Sequence, residues 1–354
     1  MDFSPSPIRL GFLYDLNTGD DGRGFEAAFE LGLADVGAIG TLGARPIEFI
    51  RAHGRGLLIG SEHELRIAFD DLVARGALAI VGPSISDNAL MAAPWCDAAE
   101  IPGLNYSGGE LTRSQWMFHY QLGSLEDEPS LLAARCVELG ARRVAVVSDA
   151  SPIGRRYAEA FDAARTAAGI ELAASASISP LADSVVDVVE RLHASKPDLL
   201  VYLGLGLSAR AVSLARTELG WSAPVLANSA LMFGYMRADW RDGFAGWEYV
   251  DTVADDNPVR AALDAISPEA AAGPAGCAAF DMGRLVGRAI QRTEHLTRAG
   301  LRAGFLRVKW LEAASGHAGT LMGFGNYEHG ALKGHYLVLR EWADGRSVQV
   351  RSGT

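Results

Sequence analysis

Two nine-residue segments carry the most suggestive chemistry in the chain: Leu78–Ser86 (LAIVGPSIS) and Leu200–Ser208 (LVYLGLGLS). In each, an apolar run ends at a glycine, Gly82 or Gly204, and a serine, Ser86 or Ser208, follows where a helix-like stretch begins. Such a serine is expected to cap the helix through its hydroxyl. The first turn of the helix then offers free N–H groups and partial positive charge. A carboxylate or carbonyl oxygen is the natural guest of that arrangement.

Signals for covalent or redox chemistry are weaker. Gly204-Leu-Gly206 with Ala209 is a look-alike of the dinucleotide fingerprint, but the next strand ends in Asn228-Ser229 without the ribose-binding acid. An α/β enzyme of the NAD-dependent dehydrogenase type is therefore the lesser alternative. The sequence has no G-x-S-x-G, H-E-x-x-H or P-loop. Its eight histidines are scattered, and His329 and His335, which flank a glycine-rich loop, lack paired ligand spacing. Cys96, Cys136 and Cys277 lie far apart without a C-x-x-C and read as buried thiols. No catalytic residue, metal or cofactor is expected.

The elements that position these turns alternate. Apolar runs at Leu10–Tyr14, Pro46–Phe49, Leu78–Val81, Arg143–Val147, Leu199–Leu203 and Pro224–Ala227 predict strands. Helices are expected over Phe25–Val36, Glu62–Ala74, Asp87–Ala98, Pro129–Leu139, Arg156–Ala168, Ser184–His193 and Ala209–Leu219. Apolar strands separated by helices imply parallel sheets covered on both faces. The two turn segments correspond at an offset of 122 residues, and Gly22–Gly37 corresponds to Gly154–Gly169 at an offset of 132. A unit of that size is a domain rather than a solenoid repeat. The fold class expected is α/β, with two doubly wound parallel-sheet lobes. Ligands of open parallel sheets collect at the carboxyl ends of strands. Two such lobes facing each other would form a cleft lined by strand-end loops.

Later segments complicate a simple division into halves. Helices are expected at Asp256–Ile266, Gly276–Thr297 and Leu301–Ala313, a strand at Trp247–Val250, and a terminal hairpin from Tyr336–Trp342 and Ser347–Val350. Tyr120–Gly123, Tyr249–Thr252 and Gly330–Gly334 are candidate crossings of a multi-strand hinge. This places residues 8–121 and 251–329 in one lobe and 122–250 and 330–354 in the other.

Composition bounds the function. The chain has 354 residues, a formal net charge of −11 and 49% hydrophobic residues. That is enough for two cores and too apolar for disorder. The acidic balance argues against nucleic acid or a polybasic membrane surface. No uncharged apolar run reaches the length of a bilayer span. The opening residues 1–7 (MDFSPSP) lack the features of a secretory leader. As written the chain is expected to be cytoplasmic, or periplasmic if a leader was trimmed.

One ordered set of motifs points further. Gly82-Pro83 with Ser86 is followed by Ile101-Pro102, by Asn105-Tyr106-Ser107-Gly108-Gly109-Glu110-Leu111-Thr112, and then by Arg142–Val147 with Asp149 and Gly154-Arg155. Ala278–Ile290 and Tyr336–Gly345 (YLVLREWADG) complete the series. This order resembles the type I periplasmic binding proteins, especially the branched-chain amino-acid and amide-binding branch of ABC-transporter substrate-binding proteins. The resemblance covers roughly residues 8–350. It implies a bilobed Venus-flytrap receptor that closes on a small ligand. By this resemblance the first-lobe contacts are Tyr14, Asn17, Ser84, Ser86, Asn105, Ser107 and Gly108. Those of the second lobe are Ser151, Ile153, Gly206 and Ser229.

Departures from the family pattern shape the expected ligand. Amino-acid binders usually carry an acid near position 229, where this chain has Ser229, and aromatics near 153 and 206, where it has Ile153 and Gly206. An unpaired buried ammonium costs several kcal/mol, so α-amino acids are disfavoured. A neutral or carboxylate ligand larger than a simple branched-chain amino acid fits better. The expected role is a solute-binding subunit of an ABC importer, with the transporter's membrane subunits as partners. A cytosolic sensor acting on a regulatory protein is the alternative. Asp15 and Asp149 are expected to fix loop backbones, and Asp281 to be solvated or capping.

Overall fold

The structure is a computed structural model and describes residues 6–16, 22–38 and 45–350. Asn17 lies outside these. The chain divides into two compact units, residues 1–122 with 253–336, and 123–252 with 337–354. It therefore passes between units three times. Residues 330–336 group with the first unit, later than the expected crossing at 329/330. Hydrogen bonds explain this, because Ala331 N–H donates to the backbone of His119 and Leu332 N–H to the side-chain Oε1 of Gln121.

The first unit opens with β1 (Ile8–Tyr14), α1 (Arg23–Asp35), β2 (Ile47–His53), α2 (Glu62–Ala74), β3 (Ala79–Val81), α3 (Ser86–Ala99), β4 (Gly103–Asn105) and β5 (Met117–His119). Among the described residues these strands form one parallel sheet in the order β2-β1-β3-β4-β5. Side chains on β1 alternate between faces, as a strand requires. Phe12 packs edge-on against Phe29 of α1 and Phe49 of β2. Leu13 joins the cluster of Leu65, Phe69 and Leu72 from α2 and Trp95 from α3. Ser61 caps α2 by accepting from Glu64 N–H, which sets a sharp start for that helix.

The second unit repeats the plan. α4 (Glu128–Glu138) precedes β6 (Arg143–Asp149), α5 (Pro152–Ala167), β7 (Glu171–Ile178), α6 (Val186–Ala194), β8 (Leu199–Leu203), α7 (Ala209–Glu218), β9 (Val225–Ala227), α8 (Met232–Tyr235) and β10 (Trp247–Asp251). The chain then returns to the first unit with α9 (Pro258–Ile266), α10 (Pro268–Ala271), α11 (Pro274–Gln291) and α12 (Arg298–Leu306). A small antiparallel sheet follows there, from β11 (Leu311–Glu312), β12 (Leu321–Met322) and β13 (Leu332–Lys333). The hairpin of β14 (Val338–Ala343) and β15 (Arg346–Gln349) completes the second unit's sheet, ordered β15-β14-β10-β9-β8-β6-β7. Asp344 and Gly345 both take positive φ at its two-residue turn, the geometry that matches strand twist. Strands β7-β6-β8-β9-β10 thus follow the same spatial order as β2-β1-β3-β4-β5, so the expected α/β plan with two doubly wound parallel sheets is observed.

Three differences from the sequence expectation have plain causes. Strand β7 (ELAASASI) is an edge strand of small residues with little β-propensity. Strands β4 and β5 have three residues each, too few to show a period. The expected helix 301–313 stops at Leu306, and its last residues become β11. Within the first unit, α1 and α11 pack backbone to backbone at Gly32 and Gly283. A Cβ on Gly32 would overlap Phe280 O, and one on Gly283 would overlap Phe29 O.

Candidate functional site

In the first unit, β1 ends at Tyr14, and Asp15 follows it. The Asp15 carboxylate is buried and accepts from Ser84 N–H (2.9 Å), Ser84 Oγ–H (2.7 Å), Ile85 N–H (3.0 Å) and Asn88 Nδ2–H (2.9 Å). Burial pushes its pKa up, and these hydrogen bonds pull it back. Asp15 therefore fixes the turn between β3 and α3, and the Ser84 hydroxyl proton is committed to it.

Ser86 does not cap α3. Ile85 occupies the cap position without a side-chain bond, and Ser86 Oγ instead accepts from Gly108 N–H at 3.3 Å. That contact joins the turn after β3 to the loop after β4. On the same loop, Ser107 Oγ–H donates to Asn105 Oδ1 (2.8 Å), and Asn105 Nδ2–H donates to Phe118 O (3.1 Å). His119 Nε2 lies 2.7 Å from Ser107 O, and Arg113 Nε–H donates to His119 Nδ1 (3.2 Å). The arginine fixes the tautomer, so Nε2–H is the donor to Ser107. Burial lowers the His119 pKa to about 3, so the ring is neutral. Ser84, Ser86, Asn105, Ser107 and Gly108 thus form one connected group at the carboxyl ends of β3 and β4. Tyr14 is held elsewhere. Its ring stacks on His53, and its hydroxyl donates to Glu26 Oε1 at 2.8 Å. Glu26 in turn accepts from Arg51.

The second unit builds a parallel device at the end of β6. Asp149 accepts from Leu205 N–H and Ser208 Oγ–H, both at 2.6 Å. Burial raises its pKa to about 6. Ser208 again fails to cap its helix, because its hydroxyl serves Asp149. Ser151 does cap, accepting from Gly154 N–H at 3.0 Å, and Ile153 is buried in the first turn of α5. Gly206 sits at φ +76° against Ala230 O and Leu231 O, where a Cβ would clash. This brings Gly206 beside the segment that begins at Ser229.

The amides of the G-x-G look-alike are already engaged. Gly204 N–H donates to Asn228 Oδ1, Leu205 N–H to Asp149 and Gly206 N–H to the Tyr202 hydroxyl. Backbone groups that a dinucleotide pyrophosphate needs are spent on side chains of the protein.

Glu128, at the start of α4, is the residue that sequence reasoning missed. It is fully buried and gathers four donors: Ser124 N–H (2.6 Å), Ser229 Oγ–H (2.6 Å) and Tyr157 Oη–H (3.2 Å) on Oε1, and Ser229 N–H (2.8 Å) on Oε2. Burial raises its pKa to about 7 against the pull of these bonds. The disfavouring of amino acids rested on the missing acid at position 229, and here a carboxylate is hydrogen-bonded to Ser229. An acid opening a helix normally faces solvent near the helix dipole, so Asp127-Glu128-Pro129 gives no hint of burial. Asp281 departs from expectation too: it is buried, bonded to Ala314 N–H and Tyr120 Oη–H, with a pKa raised by burial to about 6.

A sequence profile described as periplasmic binding protein matches residues 7–336. The chain belongs to the periplasmic binding protein family. Solved structures of this family share its fold. A type 1 periplasmic binding protein from Bordetella pertussis superposes with a TM-score of 0.81 at 16% identity, covering 97% of this chain and 99% of that one. A leucine-binding protein from Thermotoga maritima gives 0.79 at 15% identity, covering 97% and 98%. An ABC-transporter substrate-binding protein from Desulfitobacterium hafniense, solved in complex with Leu, gives 0.78 at 18% identity, covering 98% and 100%. Among curated proteins none matches the chain. Family and fold are those of solute-binding proteins. Among the described residues no helix is long and apolar enough to cross a membrane, and no cluster of potential metal ligands occurs.

Proposed function

We propose that the protein is the solute-binding component of an ABC importer and that it binds a small organic solute without transforming it. The observation that carries this reading is the Ser86–Gly108 contact. It gathers hydroxyl and amide groups at the carboxyl ends of two adjacent parallel strands, where open α/β sheets take their ligands. Ser86 and Ser107, with Gly108 N–H and Asn105 orienting their hydroxyls, would hold a polar head. In the second unit taken by itself, Ser151, Ile153, Gly206 and Ser229 are the candidate contact positions, each just beyond the carboxyl end of a parallel strand. The Leu complex of the Desulfitobacterium hafniense relative supports a ligand of amino-acid size.

A thermal-shift screen over amino acids, aliphatic amides and carboxylates tests the reading. A ligand present at 100 times its Kd adds about 2.7 kcal/mol, which raises the Tm by about 4 °C in a protein of this size. A panel that leaves the Tm unchanged throughout overturns it, as does turnover of a bound compound.

A further inference from the structure

The second unit holds a buried acid whose surroundings do more than satisfy it. Two of Glu128's four donors, Ser124 N–H and Ser229 N–H, are backbone groups that cannot reverse. The other two, Ser229 Oγ and Tyr157 Oη, are hydroxyls that can donate or accept. While Glu128 is ionised it accepts only, so the Ser229 proton must point at it. The hydroxyl then has only lone pairs for any other partner. When Glu128 is protonated its own O–H needs an acceptor, and neither amide can serve. A hydroxyl must reverse, and Ser229 lies closer (2.6 Å) than Tyr157 (3.2 Å). The Ser229 proton is then released from the acid, to a solute or to the Tyr157 hydroxyl that Ser229 also meets.

We propose that Glu128 is a positioning residue that selects the ligand head group by setting whether the Ser229 hydroxyl meets a solute as acceptor or as donor. This rests on the solute-binding reading and on Ser229 as a contact. With Glu128 ionised, a head bearing N–H groups is preferred. With Glu128 neutral, a carboxylate is accepted.

The surroundings leave the switch to Glu128 alone. Tyr157, from α5, is the titratable group facing it, and burial holds that phenol protonated far above neutrality. Asn228 faces Tyr157 and carries no charge. Nearby charges are engaged: Glu126 pairs with Arg156 at 3.6 Å, and Asp127 accepts from Ser124 Oγ–H. A pKa of about 7 puts the change of state inside an accessible range.

The test uses the full chain and a matched pair of probes, 4-methylpentanoate and 4-methylpentanamide, neither of which titrates between pH 6 and 8. A ligand that binds one protonation state has its apparent Kd divided by that state's population. The carboxylate should therefore bind about tenfold more weakly at pH 8 than at pH 6, and the amide should bind more tightly at pH 8. Glu128→Gln should flatten both profiles. Ser229→Ala, which leaves the acid in place and covers a Glu128→Gln chain that does not fold, should flatten them too. Probes that bind with a pH-independent ratio overturn the proposal and leave solute binding standing. A profile that persists in Ser229→Ala overturns the relay through the hydroxyl. Failure of both probes to bind at either pH overturns this selectivity, and silence across the wider thermal-shift panel overturns solute binding itself.

Discussion

Replacing Asp15 by alanine removes the clamp that shapes the turn between β3 and α3. Three buried donors lose their acceptor: Ser84 N–H, Ile85 N–H and the Asn88 amide. The Ser84 hydroxyl can rotate away, but the backbone groups cannot. Asn88 cannot turn freely either, because its Oδ1 accepts from Leu57 N–H at 2.7 Å. At ~1–3 kcal/mol for each buried unsatisfied group, the gross cost is roughly 3–9 kcal/mol. Relief of a desolvated carboxyl and water entering the vacated space offset part of it, leaving about 3 kcal/mol. With an m-value near ~2.5 kcal/mol/M for a unit of this size, the urea midpoint of the first unit should fall by about 1 M. Circular dichroism and tryptophan fluorescence at pH 7 would report it. Asp15→Asn should fall between the two chains, since its NH2 would face a donor whichever way it points. A midpoint within ~0.3 M of the native chain would show that the turn is held by something other than Asp15.

Two other outcomes follow from the same structure. Glu128, Asp149 and Asp281 are buried, with pKa values raised to about 7, 6 and 6. A carboxyl raised on folding binds its proton more tightly in the native state, so stability is greatest below the ordinary carboxylate range and declines as pH rises. For Glu128 alone the decline between pH 4.5 and 7 is about 3 kcal/mol; the three acids together outweigh the opposing loss of about 2 kcal/mol at pH 5 from the buried neutral His119, so urea midpoints should be higher at pH 5 than at pH 8. Gly206→Ala places a Cβ at positive φ against Ala230 O and Leu231 O, whereas Gly220→Ala meets positive φ with open space. The first should cost roughly 2–4 kcal/mol and weaken ligand binding, and the second about 1 kcal/mol; equal losses would remove the packing argument.

Much of the architecture is legible in the chain because local and global signals agree. Ser61 with Glu64 marks the start of α2, and the five apolar residues of β8 are buried throughout. The correspondence of Gly82 with Gly204 and Ser86 with Ser208 reflects equivalent turns after β3 and β8. The function of those serines was less legible. Ser208 occupies a cap position and Ser86 the residue after one, yet both spend their hydroxyls on tertiary contacts, with Asp149 and with Gly108. Which partner a hydroxyl finds depends on which strand lies beside it, and single-chain periodicity does not carry that. Glu128 shows the same limit more sharply. Its four donors come from three residues, on a turn, a helix and a strand end up to 101 residues away, and only the folded unit brings them around one carboxyl.

The most direct measurement is isothermal titration of a thermal-shift hit into the native chain and into the Ser86→Ala/Ser107→Ala double variant, with both melting points recorded. Loss of two head-group hydrogen bonds at ~1 kcal/mol or more apiece should weaken binding at least tenfold while the variant still melts cooperatively. An affinity unchanged within about twofold in a folded variant would mean that the strand-end serines do not hold the solute.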